Sequence, residues 1–244
     1  MFFHCKLVAL ILVMTLDGQV YTGEIYGGHV AAPHSRPYMV LLEQHMGNGK
    51  IKHCGGFLLN ADFVMTAAHC QAKSYSALLG VHNFKQTNEI QNISVEEMFP
   101  HKEYDPTEYI NDIMLLKLSS KANFSTNVRP IALAGQGDGS LPKSCIVSGW
   151  GRASIDQSHM SNWLMEVNVT LIDHKGQIKK NSYCSQGETG PANGDSGGPL
   201  VCEDEKAYGV VSTSSKPSSG GAVIYCYTKI PEYRDWIDGV IGHH

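Results

Sequence analysis

The chain has 244 residues, a formal net charge of −4, 17% charged and 42% hydrophobic residues, and 25 glycines. That composition fits a globular, β-rich protein and excludes a disordered one. The mild negative charge gives no basis for a nucleic-acid-binding or polybasic membrane surface, and the length suits one all-β unit or two small barrels packed together. The 12 histidines would turn the charge positive in a mildly acidic compartment, because His titrates near about pH 6.5. That would suit storage in an acidic granule, although spare surface histidine is the plainer account.

At the amino end, Lys6 precedes an apolar run from Leu7 to Leu16, followed by Gln19, Val20, Tyr21 and Thr22. A basic start and a short apolar core predict a cleaved secretory leader over residues 1–22. The run is shorter than the roughly 20 apolar residues of a spanning helix, and no other stretch is long enough. The expected mature protein is secreted, with no membrane span and no nucleic-acid partner, and a monomer by default. Export makes the cysteines disulfide candidates. Cys5 departs with the leader, leaving Cys54, Cys70, Cys145, Cys184, Cys202 and Cys226, whose spacing alone does not assign pairs. Sequons at Asn92-Ile-Ser94, Asn123-Phe-Ser125 and Asn168-Val-Thr170 each permit a glycan without requiring one.

Further along, short β-type runs recur between Gly-, Asn- and Pro-containing turns: Tyr38–Leu42, Phe63–Thr66, Ile113–Leu118, Cys145–Ser148, Trp163–Leu171, Tyr208–Thr213 and Val223–Thr228. This predicts an all-β architecture of barrels or sandwiches. The polar, turn-rich stretch Ser119–Pro130 is the expected connection between two halves. After Pro231, the spacing of Tyr233, Trp236, Ile237 and Val240 predicts one amphipathic helix, expected to dock on the second half.

The chemistry lies in Thr66-Ala67-Ala68-His69-Cys70, in Asn111-Asp112-Ile113-Met114-Leu115-Leu116, and in Gly194-Asp195-Ser196-Gly197-Gly198-Pro199. Alone, each has a bland reading: a packed histidine, a turn aspartate, a glycine loop. Together they hold the parts of a nucleophilic relay. A serine hydroxyl is a poor nucleophile unless a base removes its proton during attack. His69 can take that proton and later deliver it to the leaving amine. Asp112 would fix the imidazole tautomer and stabilise the imidazolium. The glycines around Ser196 allow a tight turn that aims the N–H groups of Gly194 and Ser196 at a developing oxyanion, each such donor contributing about 3–4 kcal/mol to the transition state. Asp195 would be a buried carboxylate in need of a cation. Cleavage after Glu24 would free the α-amino group of Ile25, in Ile25-Tyr26-Gly27-Gly28, to supply it. No His-x-x-x-His pair carries an intervening Glu, so a zinc peptidase has no support and neither metal nor cofactor is expected.

With the order His, Asp, Ser, the chain resembles the trypsin-like (chymotrypsin-fold) serine proteases from Ile25 onward. Within them it is most similar to the granzyme and mast-cell protease group. That likeness rests on Pro33-His34-Ser35-Arg36-Pro37-Tyr38-Met39, on Leu78-Leu79-Gly80-Val81-His82-Asn83, and on Gly23-Glu24 before the new amino terminus. The resemblance implies two packed six-stranded antiparallel β-barrels, about 25–125 and 126–244, with a C-terminal helix and the active site between them. It implies a serine endopeptidase acting through an acyl-enzyme on protein or peptide substrates. It also implies an activation dipeptide, 23–24, trimmed by a dipeptidyl peptidase in a granule, and serpin-type inhibitors. Disulfides Cys54–Cys70 and Cys145–Cys202 are implied at matching positions. The pocket-bridging disulfide is missing, with Ala192 in place of one partner. Cys184 and Cys226 are left over. They are expected as buried thiols, the alternative being a bridge across adjacent strands.

Substrate contacts are carried over in the same way. The pocket floor is Gly190, flanked by Pro191 and Asn193, and no carboxylate there favours Lys or Arg. Ser212-Thr213-Ser214 is the edge that pairs with extended substrate, with Thr213 and Ser214 replacing a customary tryptophan and glycine. Tyr225 stands on the pocket wall. Tyr26 replaces an aliphatic residue, and the stretch from Ile172 to Cys184 is several residues short. The expected pocket is shallow and neutral, accepting small or medium apolar side chains. The competing expectation is a protease-fold binding or decoy protein with little turnover because Tyr225 obstructs the pocket.

Overall fold

The computed structural model describes residues 25, 27–86, 90–138, 142–152, 159–172, 181–217 and 220–244. The expected leader and activation dipeptide, Tyr26 and most of the stretch between Ile172 and Cys184 lie outside these. The first strands are β1 (His29–Val30), β2 (Met39–His45), β3 (Ile51–Leu58), β4 (Phe63–Thr66), β5 (Ser74–Leu79), β6 (Gln91–Pro100) and β7 (Met114–Leu118). Then come β8 (Ser144–Gly149), β9 (Met165–Thr170), β10 (Ser182–Gly187), β11 (Pro199–Cys202), β12 (Ala207–Ser215), β13 (Val223–Lys229) and the helix α1 (Arg234–His243).

Strands β2 to β7 close into a barrel in the order β2-β3-β4-β7-β6-β5. The nearly unbroken apolar runs Met39–Leu42 and Met114–Leu116 are buried throughout, as such runs require. In β5, by contrast, Tyr75, Ala77 and Leu79 face the core and Ser74, Ser76 and Leu78 alternate with them. The second layer is an antiparallel sheet ordered β1-β9-β8-β11-β12-β13-β10. In β9, Met165, Val167 and Val169 point inward while Asn168 and Thr170 are exposed. The sheet curls until its far ends meet at the Leu171–Ser185 bridge, where the Ile172 N–H donates to the Cys184 carbonyl at 2.9 Å. Strands β8 to β13 thus wrap nearly into a barrel of their own. The short β1 comes from the amino-terminal half yet pairs with β9 at His29–Glu166 and Val30–Met165. Arg36 Nε reinforces that join by donating to Glu166 at 2.9 Å.

One expectation needs correction. Cys184 and Cys226 are not thiols: they form a disulfide, because β10 and β13 pair in the register that sets the two residues directly opposite, Cα atoms 4.2 Å apart. Cys145 and Cys202 face each other the same way across β8 and β11, and Cys54–Cys70 joins β3 to the turn after β4. The helix meets both halves. The turn that enters it, Ile230–Tyr233, contacts β12 of the second sheet, and its buried residues share a core with Val201, Ala207 and Val210. Its entry and its end also reach the first barrel, with the His101 ring 5.4 Å from Tyr233 and 5.2 Å from Trp236, and Phe99 4.5 Å from His244. Crossing over to the first barrel lets the carboxyl end clamp the segment that carries Asp112.

Candidate active site

His69 sits in a 3₁₀ turn, Ala68–Cys70, directly after the buried strand β4. Asp112 lies just ahead of β7, and Ser196 just ahead of β11. The chain before Asp112 is tightly contorted. Tyr109 and Asn111 have φ of 53° and 55°, a region that asparagine tolerates and tyrosine rarely enters. Asn111 is held there by two bonds: its Nδ2 donates to the Glu103 carbonyl at 2.8 Å, and Tyr233 Oη donates to its Oδ1 at 2.9 Å. The Asp112 carbonyl accepts from Thr228 Oγ1 at 2.9 Å. Residues of the carboxyl-terminal segment therefore fix the carboxylate of the first barrel in place.

That carboxylate is fully buried and satisfied by three donors. Oδ2 lies 2.7 Å from His69 Nδ1 and accepts from Ser212 Oγ at 2.6 Å. Oδ1 accepts from the His69 backbone N–H at 2.8 Å. A carboxylate at 2.7 Å selects the tautomer with a proton on Nδ1, leaving Nε2 with a lone pair. The imidazole edge also packs on the Tyr109 ring at 5.6 Å.

His69 and Ser196 line a cavity of about 400 Å³ together with Tyr109 and Ala192. Of the residues expected to contact substrate, Pro191, Asn193, Ser212, Thr213 and Ser214 line it as well. Gly190 and Tyr225 do not. Tyr225 is only 2% exposed, and a Cβ built on Gly190 would lie 2.5 Å from the Tyr225 ring. On the other side of Ser196 a second cavity of about 660 Å³ is lined by Gly194, Cys54 and Arg152 among others.

Gly194 has φ of 106°, open to glycine and strained for any other residue. The turn it makes leaves the N–H groups of Gly194 and Ser196 without an acceptor among the described residues. The intervening Asp195 points the opposite way and is completely buried. Its Oδ1 accepts from Gly151 N–H at 2.7 Å and its Oδ2 from Ala192 N–H at 2.8 Å. No ion pair reaches it among the described residues, and burial pushes its pKa up to about 6 against the pull of those donors. Ile25 is likewise fully buried, in the core of the second sheet with Val147, Met165 and Tyr225.

Ser212 was expected only as a substrate contact, and its role as a donor to Asp112 was not legible, nor were the Tyr109 ring on His69 or the Thr228 and Tyr233 braces. No local motif marks them, since each acts from a different element. Only Cys54, His69 and Cys70 lie close enough among the described residues to suggest a metal cluster, and two of these are joined in a disulfide.

A family model described as trypsin matches residues 25–237. Granzyme E of Mus musculus is 38% identical over 242 residues, covering 94% of this chain and 96% of its own. Granzyme H of Homo sapiens is 39% identical over 242 residues, 93% of this chain and 95% of its own. The solved structure of GrC superposes with a TM-score of 0.78 at 35% identity, covering 89% of this chain and 99% of that one. Neuropsin, a serine protease expressed in the limbic system of mouse brain, gives 0.77 at 33% identity, covering 88% and 98%. With matches of this extent around the site just described, the chain belongs to the trypsin family of serine endopeptidases and is related to the granzymes.

Proposed function

We propose that the chain is a granzyme-like endopeptidase, stored or secreted as a precursor, in which His69, Asp112 and Ser196 hydrolyse peptide bonds through an acyl-enzyme. The observation that carries this is the 2.7 Å contact between Asp112 Oδ2 and His69 Nδ1, with Ser196 on the same cavity wall. Ser196 Oγ attacks the substrate carbonyl carbon while His69 Nε2 takes its proton. The resulting oxyanion is met by the Gly194 and Ser196 N–H groups, which have no acceptor within the described residues. His69 then protonates the departing amine. Water, deprotonated by the same nitrogen, releases the acyl group from Ser196.

Activation follows from Asp195. A buried carboxylate with two amide donors and no cation is costly, and the α-ammonium freed by cleavage after Glu24 supplies the missing charge. A dipeptidyl peptidase fits the removal of Gly23-Glu24, and serpin-type proteins fit as inhibitors. The Tyr225 ring under Gly190 supports a shallow, neutral pocket that admits small or medium apolar side chains and disfavours Arg, Lys or Asp before the scissile bond. The same contact favours a second reading, a secreted protease-fold binding protein with little turnover. The two part on one experiment. Chain beginning at Ile25 is treated with a fluorophosphonate, and its turnover of a peptide library is measured. Labelling that requires free Ile25 and vanishes in Ser196→Ala, together with turnover of Ala or Val peptides, sustains the protease. Labelling without turnover would leave the binding reading standing.

A further inference from the structure

Two residues in the left-handed region, Tyr109 and Asn111, shape the segment that aims Asp112. Such conformations persist only where neighbouring groups enforce them. Asp112 stands at the apex of a three-residue turn: the Ile113 N–H donates to the Asn111 carbonyl at 2.9 Å, and the His101 N–H to the Ile113 carbonyl at 3.0 Å. Where Asn111 sits therefore decides where the Asp112 carboxylate points. Of the two bonds that hold the Asn111 side chain, one is local, from its Nδ2 to the Glu103 carbonyl of the same loop. The other reaches across a sequence separation of 122, the Tyr233 hydroxyl donating to Oδ1 at 2.9 Å. That hydroxyl is a junction. The side chain of Asn181, just ahead of β10, hydrogen-bonds to it as well, and the Asn181 carbonyl accepts from the Lys229 N–H at the end of β13 at 2.9 Å. The phenol proton goes to Asn111 and an oxygen lone pair takes the Asn181 amide, so the group is satisfied on both sides. Tyr233 is buried, and its ring meets that of His101 edge-on at 5.4 Å.

We infer that Tyr233 is a positioning residue for the relay: its hydroxyl, acting through Asn111, holds the Asp112 carboxylate in line with His69 Nδ1. The kinetic consequence rests on the proposed protease activity and deepens it. Asp112 Oδ2 lies 2.7 Å from His69 Nδ1, and the support a carboxylate gives an imidazolium weakens as that bond lengthens or bends. Without the Tyr233 hydroxyl, Asn111 keeps only the Glu103 bond, which belongs to the same loop and moves with it. Asp112 then drifts, and His69 takes the serine proton less readily. Thr228 and Ser212 still hold Asp112 directly from β13 and β12, so the loss is partial. Neither Tyr233 nor Asn111 lines the substrate cavity, so the loss falls on the chemical step and not on binding.

The test uses the full chain beginning at Ile25 and the variants Tyr233→Phe, Asn111→Gly, their combination, and Ile237→Val. Tyr233→Phe keeps the buried ring and removes only the oxygen. Asn111→Gly keeps the left-handed backbone and removes both side-chain bonds. Ile237→Val loosens the same helix at a fully buried position away from Asn111. Two readings are taken on folded protein. One is steady-state kinetics across pH on a peptide with Ala or Val before the scissile bond. The other is the proton NMR signal of His69 Nδ1–H, deshielded by its bond to Asp112. In Tyr233→Phe, kcat should fall about tenfold with KM held within about twofold. The acid limb of kcat/KM should move to lower pH, because the imidazolium loses support, and the proton signal should move upfield. Asn111→Gly should do as much and the combination no more, while Ile237→Val should change neither reading. Unchanged kcat and signal in Tyr233→Phe overturn the inference, as does an additive combination. Equal changes in Ile237→Val overturn it too, since they would mark a merely structural effect. Absence of turnover in the parent chain overturns the protease reading instead, and the proton signal then still decides whether Tyr233 holds Asp112.

Discussion

The aromatic ring of Tyr225 lies directly beneath the backbone of Gly190, so close that a methyl group on Gly190 would stand 2.5 Å from its Cε2. The two positions are 35 residues apart in sequence and come together because β13 runs beside the loop entering the Ser196 turn. The ring is buried to 2% exposure, in one core cluster with Ile25 and Val147 of the second sheet, while it packs against Gly190.

Replacing that ring should separate the two roles. Tyr225→Ala is expected to deepen the cavity and to raise kcat/KM for peptides with Phe, Tyr or Leu before the scissile bond. It should also cost about 3–5 kcal/mol of stability as a large-to-small core change. Parallel peptide kinetics and urea denaturation of the Ile25-started enzyme test both. A deeper pocket without destabilisation, or destabilisation with no change in preference, contradicts the double role.

The same contact predicts a non-additive pair. Gly190→Asp alone places its Cβ against the Tyr225 ring and should yield no cleavage after Lys or Arg, although a carboxylate now sits at the floor. Gly190→Asp with Tyr225→Gly has room for the carboxylate and should gain such cleavage. A double-mutant cycle on kcat/KM for an Arg peptide should then show a coupling of more than about 1 kcal/mol. Additive effects would mean the ring is not what blocks the floor.

Ser212 donates to Asp112 Oδ2 at 2.6 Å, on the same oxygen that holds His69. Hydrogen bonds to charged groups contribute about 1.5–3 kcal/mol. Ser212→Ala should therefore lower kcat about tenfold or more while leaving fluorophosphonate labelling detectable, and Ser212→Thr should restore part of it. Asp112→Asn should be far more severe, about 10⁴-fold in kcat, through loss of the tautomer. Equal effects from the two substitutions would show that Ser212 is not an auxiliary donor.

What the sequence revealed and what it withheld divide along locality. His69, Asp112 and Ser196 each sit in a short motif, so their types and order could be read without any pairing information. Phe63–Thr66 was legible because an apolar run identifies a buried strand by itself. Strand β6, with one buried residue between Gln91 and Pro100, has no such signature, and β3, β5, β10 and β11 are interrupted by Ser, Gly or Cys. The Cys184–Cys226 bond depends on the register of β10 against β13, which is set by the closure of the whole sheet. That the helix also reaches His101 and Phe99 of the first barrel was hidden for the same kind of reason: periodicity shows an apolar face, not what it meets.

That register makes a chemical prediction. Mature protein denatured without reductant should show no free thiol from Cys184 or Cys226, and peptide mapping should recover them linked. The bond closes a loop across a sequence separation of 42, so Cys184→Ser/Cys226→Ser should lose about 4 kcal/mol on loop-closure entropy. Because Tyr225 neighbours Cys226, the loss should come with altered preference before the scissile bond. Two alkylatable thiols in the parent chain would refute the pairing.

The last prediction concerns the uncut chain, where Asp195 has no cation. Burial raises its pKa from 3.8 to about 6. A raised folded-state value means the folded chain holds the proton at pH values where the unfolded chain has released it. The favourable contribution is therefore complete below about pH 4 and is lost as pH climbs through about 6. A rise of that size corresponds to about 3 kcal/mol. Precursor carrying Ser196→Ala should lose stability by that order between about pH 4 and 7 relative to the same precursor with Asp195→Asn. The difference should narrow once the chain begins at Ile25, because its ammonium then stabilises the ionised carboxylate. Urea denaturation across that range measures it, and parallel stability curves for the two precursors would show that Asp195 is not the titrating group.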